Sequence, residues 1–156
     1  MKKLIYLILL LGLLASNAYA GDNTTILQDI VQWKNITIQI PIDFEQQQNN
    51  DKLFFAKKLN GINNLVAIST IGNLDISNFI VGLRNDNKKL ALISTSEGII
   101  GDKTSTIVIY KIVDDTTKRI MISNFVSSEN IRIVFYGAEN EYPRFNNIIQ
   151  TLRFSE

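Results

Sequence analysis

Three local pairs of carboxylates are the residues of this chain whose types and spacing could do chemistry. The pairs are Asp43 with Glu45, Asp114 with Asp115, and Glu139 with Glu141. A glycoside hydrolase uses two carboxyl groups about 5–10 Å apart across a cleft, one of them with a raised pKa. Acidic neighbours in a turn are usually solvated. We therefore interpret the pairs as surface turns, and we keep a carboxylate-dependent hydrolase as the alternative function.

Other catalytic chemistry is restricted by composition, because the chain contains no histidine and no cysteine. A Ser-His-Asp triad or a Cys-His pair cannot form, and a zinc site is not expected. The segment Gly98–Thr104 has two residues between its glycines, where a phosphate loop has four, and Asp102 intervenes before Lys103. We interpret it as a mobile connection between strands. We expect no catalytic residue, no metal site and no cofactor, and hence no enzyme.

Aromatic side chains are the remaining candidates for binding. Trp33 is the only tryptophan, and it lies beside Lys34 and Asn35 at a predicted turn. Tryptophan and tyrosine serve both core edges and interfaces, and the core-edge interpretation is preferred for Trp33 and for the tyrosines. If the concave side of the sheet is open, Trp33, Phe44 and Tyr142 are the predicted contact patch for a protein or peptide.

The elements that must position these residues are mostly strands. Alternating and β-branched segments predict seven of them: Ile36–Ile40, Leu53–Ala56, Leu65–Ser69, Leu90–Ser94, Thr106–Val113, Arg119–Val126 and Ile131–Gly137. Apolar stripes at Ile76–Leu83 and Phe145–Leu152 have helical spacing and predict two amphipathic helices. Residues 26–31 fit either a short helix or an entry strand. Three polar runs are interpreted as turns: Gln46–Asp51, Asn60–Asn64 and Asn85–Asn87. Short connections of this kind favour antiparallel hairpins, so we predict an α+β fold with an antiparallel sheet of about six to seven strands and helices packed on it.

The N-terminal segment has the order of a secretory signal peptide. Lys2 and Lys3 precede an apolar run of 12 residues from Leu4 to Ala15, and Ala18-Tyr19-Ala20 supplies an A-x-A cleavage site. A membrane-spanning helix needs about 20 apolar residues, so we prefer a cleaved signal to a retained anchor. We expect residues 1–20 to be removed, no membrane span to remain, and residues 21–156 to form one periplasmic or secreted domain.

Charge argues against nucleic acid as a partner. Removing Lys2 and Lys3 from the 16 basic residues leaves 14 against 15 acidic residues, a net charge of −1. Such a chain has no long-range field to attract DNA, RNA or anionic lipid. The missing cysteines also mean that an exported domain of this size relies on its packed core and not on disulfides.

The order of elements resembles the PsbP-like fold, shared by lumenal photosystem proteins, the Ran-binding protein Mog and small bacterial exported proteins of the DcrB kind. The resemblance rests on an early strand that runs into a Pro-x-x-aromatic turn at Pro41–Phe44, a helix at Asp75–Asp86, and long strands before a terminal helix at Phe145–Phe154. It implies a PsbP-like layered sandwich over residues 21–156 and transfers no site residue. With the signal, it implies an exported non-enzymatic binding or assembly module of the bacterial cell envelope. The partner is then an envelope protein or peptide, and the alternative is hydrolysis of envelope polymer.

The cleavage site gives a direct prediction. The exported protein is expected to begin at Gly21, because signal cleavage requires small residues at Ala18 and Ala20. Intact-mass measurement of protein exported from a bacterial host checks this. Ala20→Arg should block processing, whereas Tyr19→Phe, between the two small residues, should be processed normally. An exported protein that retains Met1 would contradict the prediction.

Overall fold

Ten strands, two α-helices and two single-turn 3-10 helices, Ser127–Glu129 and Glu139–Glu141, make up the regular structure of the described chain. The computed structural model describes residues 28–72, 75–86, 89–113, 116 and 118–155, with residues 84–86 described through their backbone alone. The predicted signal peptide lies outside these ranges. The strands are β1 (Gln28–Trp33), β2 (Ile36–Pro41), β3 (Glu45–Gln48), β4 (Lys52–Leu59), β5 (Ile62–Thr70), β6 (Leu90–Ile100), β7 (Lys103–Ile112), β8 (Arg119–Val126), β9 (Ile131–Ala138) and β10 (Arg153–Phe154). The helices are α1 (Ile76–Asp86) and α2 (Tyr142–Ile149).

Seven strands form one antiparallel sheet in the order β3-β4-β5-β9-β8-β7-β6, the large sheet. Asn60 and Gly61 turn β4 into β5 with φ angles of 50° and 79°, a left-handed geometry that suits a tight hairpin. Gly101, with φ 63°, does the same between β6 and β7. The predicted connection between strands at Gly98–Thr104 is therefore present but shorter than predicted, because strand pairing continues to Ile100 and resumes at Lys103.

Three strands form a second antiparallel sheet in the order β1-β2-β10, the small sheet. Ile36, Ile38 and Ile40 alternate along β2 and are fully buried, as the period-2 pattern predicts. Pro41 ends β2, where the missing N–H costs the ladder least. The undecided segment at residues 26–31 is a strand from Gln28 onward, because β1 pairs with β2 along its whole length.

The main core lies between one face of the large sheet and the small sheet with α2. Four phenylalanine rings meet there: Phe44, Phe55, Phe135 and Phe145, with centroid separations of 5.1–6.3 Å. The helix α2 begins with Tyr142 and Pro143 and buries Phe145, Ile148 and Ile149. Offset and edge-to-face ring pairs stabilise a core beyond the area they bury.

A smaller apolar cluster lies on the opposite face of the large sheet, beneath α1. Val108, Tyr110 and Phe125 alternate with main-core residues along β7 and β8, so their side chains point away from the small sheet. The predicted stripe of α1 packs on them: Ile76, Phe79, Ile80 and Leu83. Asp75 caps the helix, since its carboxylate accepts hydrogen bonds from the backbone N–H groups of Ser77 and Asn78.

The coarse prediction of an α+β fold with an antiparallel sheet is confirmed, with helices packed on both faces of the large sheet. Two strands were not predicted. The first is β3 (Glu45–Gln48), because the polar run Gln46–Asp51 was interpreted as a turn. The second is β10, which includes Phe154 and was expected to close the terminal helix; α2 instead spans Tyr142–Ile149.

The ring cluster predicts the position of greatest sensitivity to truncation. Phe145→Ala should lower the free energy of unfolding by about 3–5 kcal/mol, because it leaves a cavity among the rings. Val81→Ala, at an α1 side chain that is 57% exposed, should change it by less than about 0.5 kcal/mol. Urea unfolding followed by circular dichroism measures both. Similar losses for the two variants would contradict the assignment of Phe145 to the core.

Candidate functional site: the groove between two strand edges

The turn between β3 and β4 is built by Asn49. Its side-chain oxygen accepts hydrogen bonds from the backbone N–H groups of Asp51 and Lys52, each at 2.9 Å. Its backbone carbonyl accepts a hydrogen bond of 2.7 Å from the indole Nε1–H of Trp33. Because Trp33 ends β1, this hydrogen bond joins the edge of the small sheet to the β3–β4 hairpin of the large sheet.

A groove of about 480 Å³ lies beside this junction. It separates β1, an edge strand of the small sheet, from β3, an edge strand of the large sheet. Each of these strands has a strand partner on one side only among the described residues. Residues from β1, β3 and β4 line the groove: Asp29, Ile30, Val31, Gln32, Gln46, Gln47, Gln48 and Leu53. The volume falls within the range of about 300–1,000 Å³ that is typical of ligand sites.

The chemistry of the groove is that of amides and apolar side chains. Four glutamines contribute groups that both donate and accept hydrogen bonds, as the backbone of an extended peptide does. Ile30 is 74% exposed and gives the groove an apolar wall. Sequence reasoning missed this site because the Gln46–Gln48 run was interpreted as a turn. Its strand character comes from pairing with β4, a contact that composition does not reveal.

The predicted patch of Trp33, Phe44 and Tyr142 is not an exposed surface. Trp33 and Phe44 are each 5% exposed and belong to the main core. Tyr142 is half-buried, with its ring 5.3 Å from that of Phe135 and its hydroxyl donating to Asn146. Burial raises the pKa of Tyr142. Large aromatic rings gain more from burial than a surface position offers. The burial of Trp33 and Tyr142 agrees with the core-edge interpretation preferred for them, and Phe44 lies in the core as well.

The surroundings of Phe44 are cationic. Lys57 and Arg144 lie over its ring, 5.3 and 5.4 Å from the centroid. Both also pair with Asp43, Arg144 at 3.8 Å and Lys57 through a hydrogen bond. That hydrogen bond, with the charges of Lys57 and Arg144, holds the pKa of Asp43 below its usual value of 3.8. A general acid needs the opposite shift, so Asp43 fits a structural ion pair and not the acid of a hydrolase.

A partly buried cation lies under α1. The guanidinium of Arg132 is 4.5 Å from the ring centre of Phe79 and 5.5 Å from that of Phe125, and it donates to the Ser123 hydroxyl. Among the described residues it forms no ion pair with a carboxylate. Burial lowers the pKa of Arg132 and raises that of Tyr110, whose hydroxyl lacks a partner within the described chain. The two aromatic faces therefore provide much of the stabilisation of this charge.

A second hollow, of about 450 Å³, lies beyond the end of β8. Thr104, Thr106, Ser127 and Ser128 give it hydroxyl groups, and Lys103 gives it a cation. Lys103 is 3.3 Å from Asp102 and 3.7 Å from Glu129, and the hydrogen bond with Asp102 is the main cause of its raised pKa. Because this cation is already paired, the groove beside β1 is the better candidate site.

Comparison with known proteins adds no assignment. The chain matches no protein-family model, and no curated protein resembles it at a significant level.

Within the described ranges, no helix has the length and apolar character needed to cross a membrane. The same ranges contain no cluster of three or more acidic residues arranged to hold a metal ion.

The ion pairs of Asp43 predict a dependence on pH. A carboxyl whose pKa is lowered in the folded state stabilises the fold above its unfolded pKa, and this stabilisation is lost as the pH falls through the folded pKa. Asp43→Asn should therefore lower the urea midpoint at pH 6 and leave it unchanged at pH 2. The pair is exposed, so the loss should be below about 1 kcal/mol.

The matched control is Asp51→Asn. Asp51 is exposed, and its carboxylate forms no ion pair with any described residue. Its substitution should leave the urea midpoint unchanged at both values of pH. A loss for Asp43→Asn that persists at pH 2 would show that its side chain acts through packing or polarity and not through its charge.

Proposed function

We propose that this chain is an exported, non-enzymatic binding or assembly module of the bacterial cell envelope that holds an extended segment of a protein or peptide in the groove between β1 and β3. The observation that carries this proposal is the juxtaposition of two edge strands across one ligand-sized groove. An extended segment bonds to such edges through its backbone, and the pockets beside them accept alternate side chains.

The lining of the groove supports a polypeptide ligand. Glutamine amides satisfy peptide N–H and C=O groups without selecting for a charge. Asp29 is the one ionisable residue among the described residues that line the groove, so a segment with a basic residue near it is favoured. The hydrogen bond from Trp33 to Asn49 fixes one end of the groove, so its walls are in place before the ligand arrives.

We further propose that the two-sheet arrangement is a PsbP-like layered sandwich. Its supports are the turn at Pro41–Phe44 after β2, the helix α1 between β5 and β6, and the helix α2 after β9. The binding or assembly role that this resemblance implies agrees with the groove. The periplasmic or secreted location is part of the same proposal and rests on the N-terminal sequence alone.

A carboxylate-dependent hydrolase is less supported. Such an enzyme needs two convergent carboxyl groups, one of them a ready proton donor. Asp29 provides a single carboxyl group to the described part of the groove. Asp43 is held in its ionised form by Lys57. We therefore favour binding without catalysis.

A photo-crosslinking amino acid placed at Ile30 tests the groove. Ile30 lines the groove and is 74% exposed, so the substitution should leave the core intact. Irradiation of intact cells should give a covalent adduct with a polypeptide, and mass spectrometry identifies the attached segment. In the purified complex, backbone amides of Gln46–Gln48 should exchange with deuterium more slowly than in the free protein.

Ile42 provides the matched control, because it is 56% exposed and lies outside the groove lining. The same crosslinker at Ile42 should give no adduct with that polypeptide. Identical adducts from both positions would count against the groove. So would a complex whose formation leaves amide exchange in β1 and β3 unchanged.

A further inference from the structure

The strand β6 is the long free edge of the large sheet. It spans 11 residues and pairs with β7 on one side, and no strand among the described residues lies on its other side. The opposite edge, β3, has four residues, all of them exposed and polar. A free edge presents unpaired N–H and C=O groups to any strand that approaches, and proteins usually protect such edges.

Protection of β6 is slight. Glu97 is its one ionisable residue, and it contains no lysine and no proline. Ile93 and Ile99 are 55% and 66% exposed. The one protective feature is a bulge at Ile93, which has no Cα partner on β7. The bulge lies near one end of the strand, so pairing is regular from Ser94 to Ile100, and Ile93 directly borders that segment.

The two faces of β6 have different side chains. Thr95, Glu97 and Ile99 pair with Val108, Thr106 and Thr104 of β7, so they share the face that carries α1. Ser94, Ser96 and Gly98 lie on the other face, opposite Ile109, Ile107 and Ser105. The side chains along β6 thus alternate between an apolar-and-acidic row and a row of small residues.

We propose that β6 pairs antiparallel with β6 of a second copy of this chain, about a two-fold axis at Ser96, so that the two large sheets become one continuous sheet. A two-fold interface brings the same surface of each copy together, so each residue opposes a residue of the same strand. The choice of a second copy, and of this register, follows from which side chains then face each other.

With Ser96 on the axis, Ile93 lies opposite Ile99 of the second copy, and Thr95 lies opposite Glu97 of the second copy. The two most exposed isoleucines of β6 are thereby paired with each other, and the carboxylate faces a hydroxyl that can donate to it. On the other face, Ser96 meets itself and Ser94 meets Gly98. Each of these pairs, from Ile93 to Ile99, is compatible in size and polarity.

The two neighbouring registers, with the axis at Thr95 or at Glu97, bring less compatible side chains opposite each other. An axis at Thr95 places Ile93 opposite Glu97, which buries apolar surface against a carboxylate. An axis at Glu97 places two carboxylates opposite each other, and like charges directly across a ladder destabilise it. Of these three registers, only the one about Ser96 avoids an unfavourable pair.

A pair of cysteine variants tests the register without interference, because the chain has no cysteine of its own. Residues on the axis of an antiparallel pair have Cα atoms about 4.5–5.5 Å apart, within the range that a disulfide bridges. Ser96→Cys should form a covalent dimer on mild oxidation of the exported protein. Ser94→Cys is the matched control and should form little, because the two copies of Ser94 are four positions apart along the ladder.

The oligomeric state gives the second readout, by sedimentation velocity over a range of concentrations. The exported protein should be a dimer at high concentration. Ile99→Lys should make it monomeric, because it places a charge opposite Ile93 of the second copy. Ile42→Lys, at an exposed isoleucine outside β6, should leave the dimer intact, and thermal melts should show that both variants are folded. A monomeric wild-type protein, or equal crosslinking of Ser94→Cys and Ser96→Cys, would overturn the proposal.

Discussion

The packing of Phe44, Phe55, Phe135 and Phe145 is the interaction on which the rest of the structure depends. These rings come from the loop after β2, from β4, from β9 and from α2, so they join four separate parts of the chain. No disulfide can substitute for them, since the chain has no cysteine. The small sheet keeps its position over the large sheet only while this core is intact, and the groove between β1 and β3 exists only in that arrangement.

The groove between β1 and β3 is linked to the main core through Trp33. Trp33 is buried in the core through its ring and bonded to the β3–β4 turn through its indole N–H. The same residue that looked like a surface contact in the sequence thus sets the separation of the two edges. In the proposed complex its contribution is indirect, through the shape of the groove, and Ile30 and the glutamines are the side chains placed to contact the peptide.

Local patterns predicted the elements whose burial follows a simple period. The alternation of Ile36, Ile38 and Ile40 predicted β2, and the helical spacing of Ile76 to Leu83 predicted α1. The polar strand β3 was not predictable in this way, because neither of its faces is apolar and its form depends on pairing with β4. The candidate site was missed for the same reason. A groove between two edge strands depends on the order of strands in the sheets, and this order cannot be predicted from the periodicity of a single strand.

The separation of the apolar residues into two clusters has a consequence for cooperativity. The helix α1 rests on Val108, Tyr110 and Phe125, and these residues lie on the opposite face from the rings that join the two sheets. A domain arranged in this way can open in steps, with the helix released as a sub-global unit at a lower free energy than complete unfolding. In the partly open form Arg132 would regain its hydration shell, and the ladder of strands beneath it would persist. Two free energies then describe the stability of such a domain: one for the release of the helix α1 and one for the unfolding of the sheets.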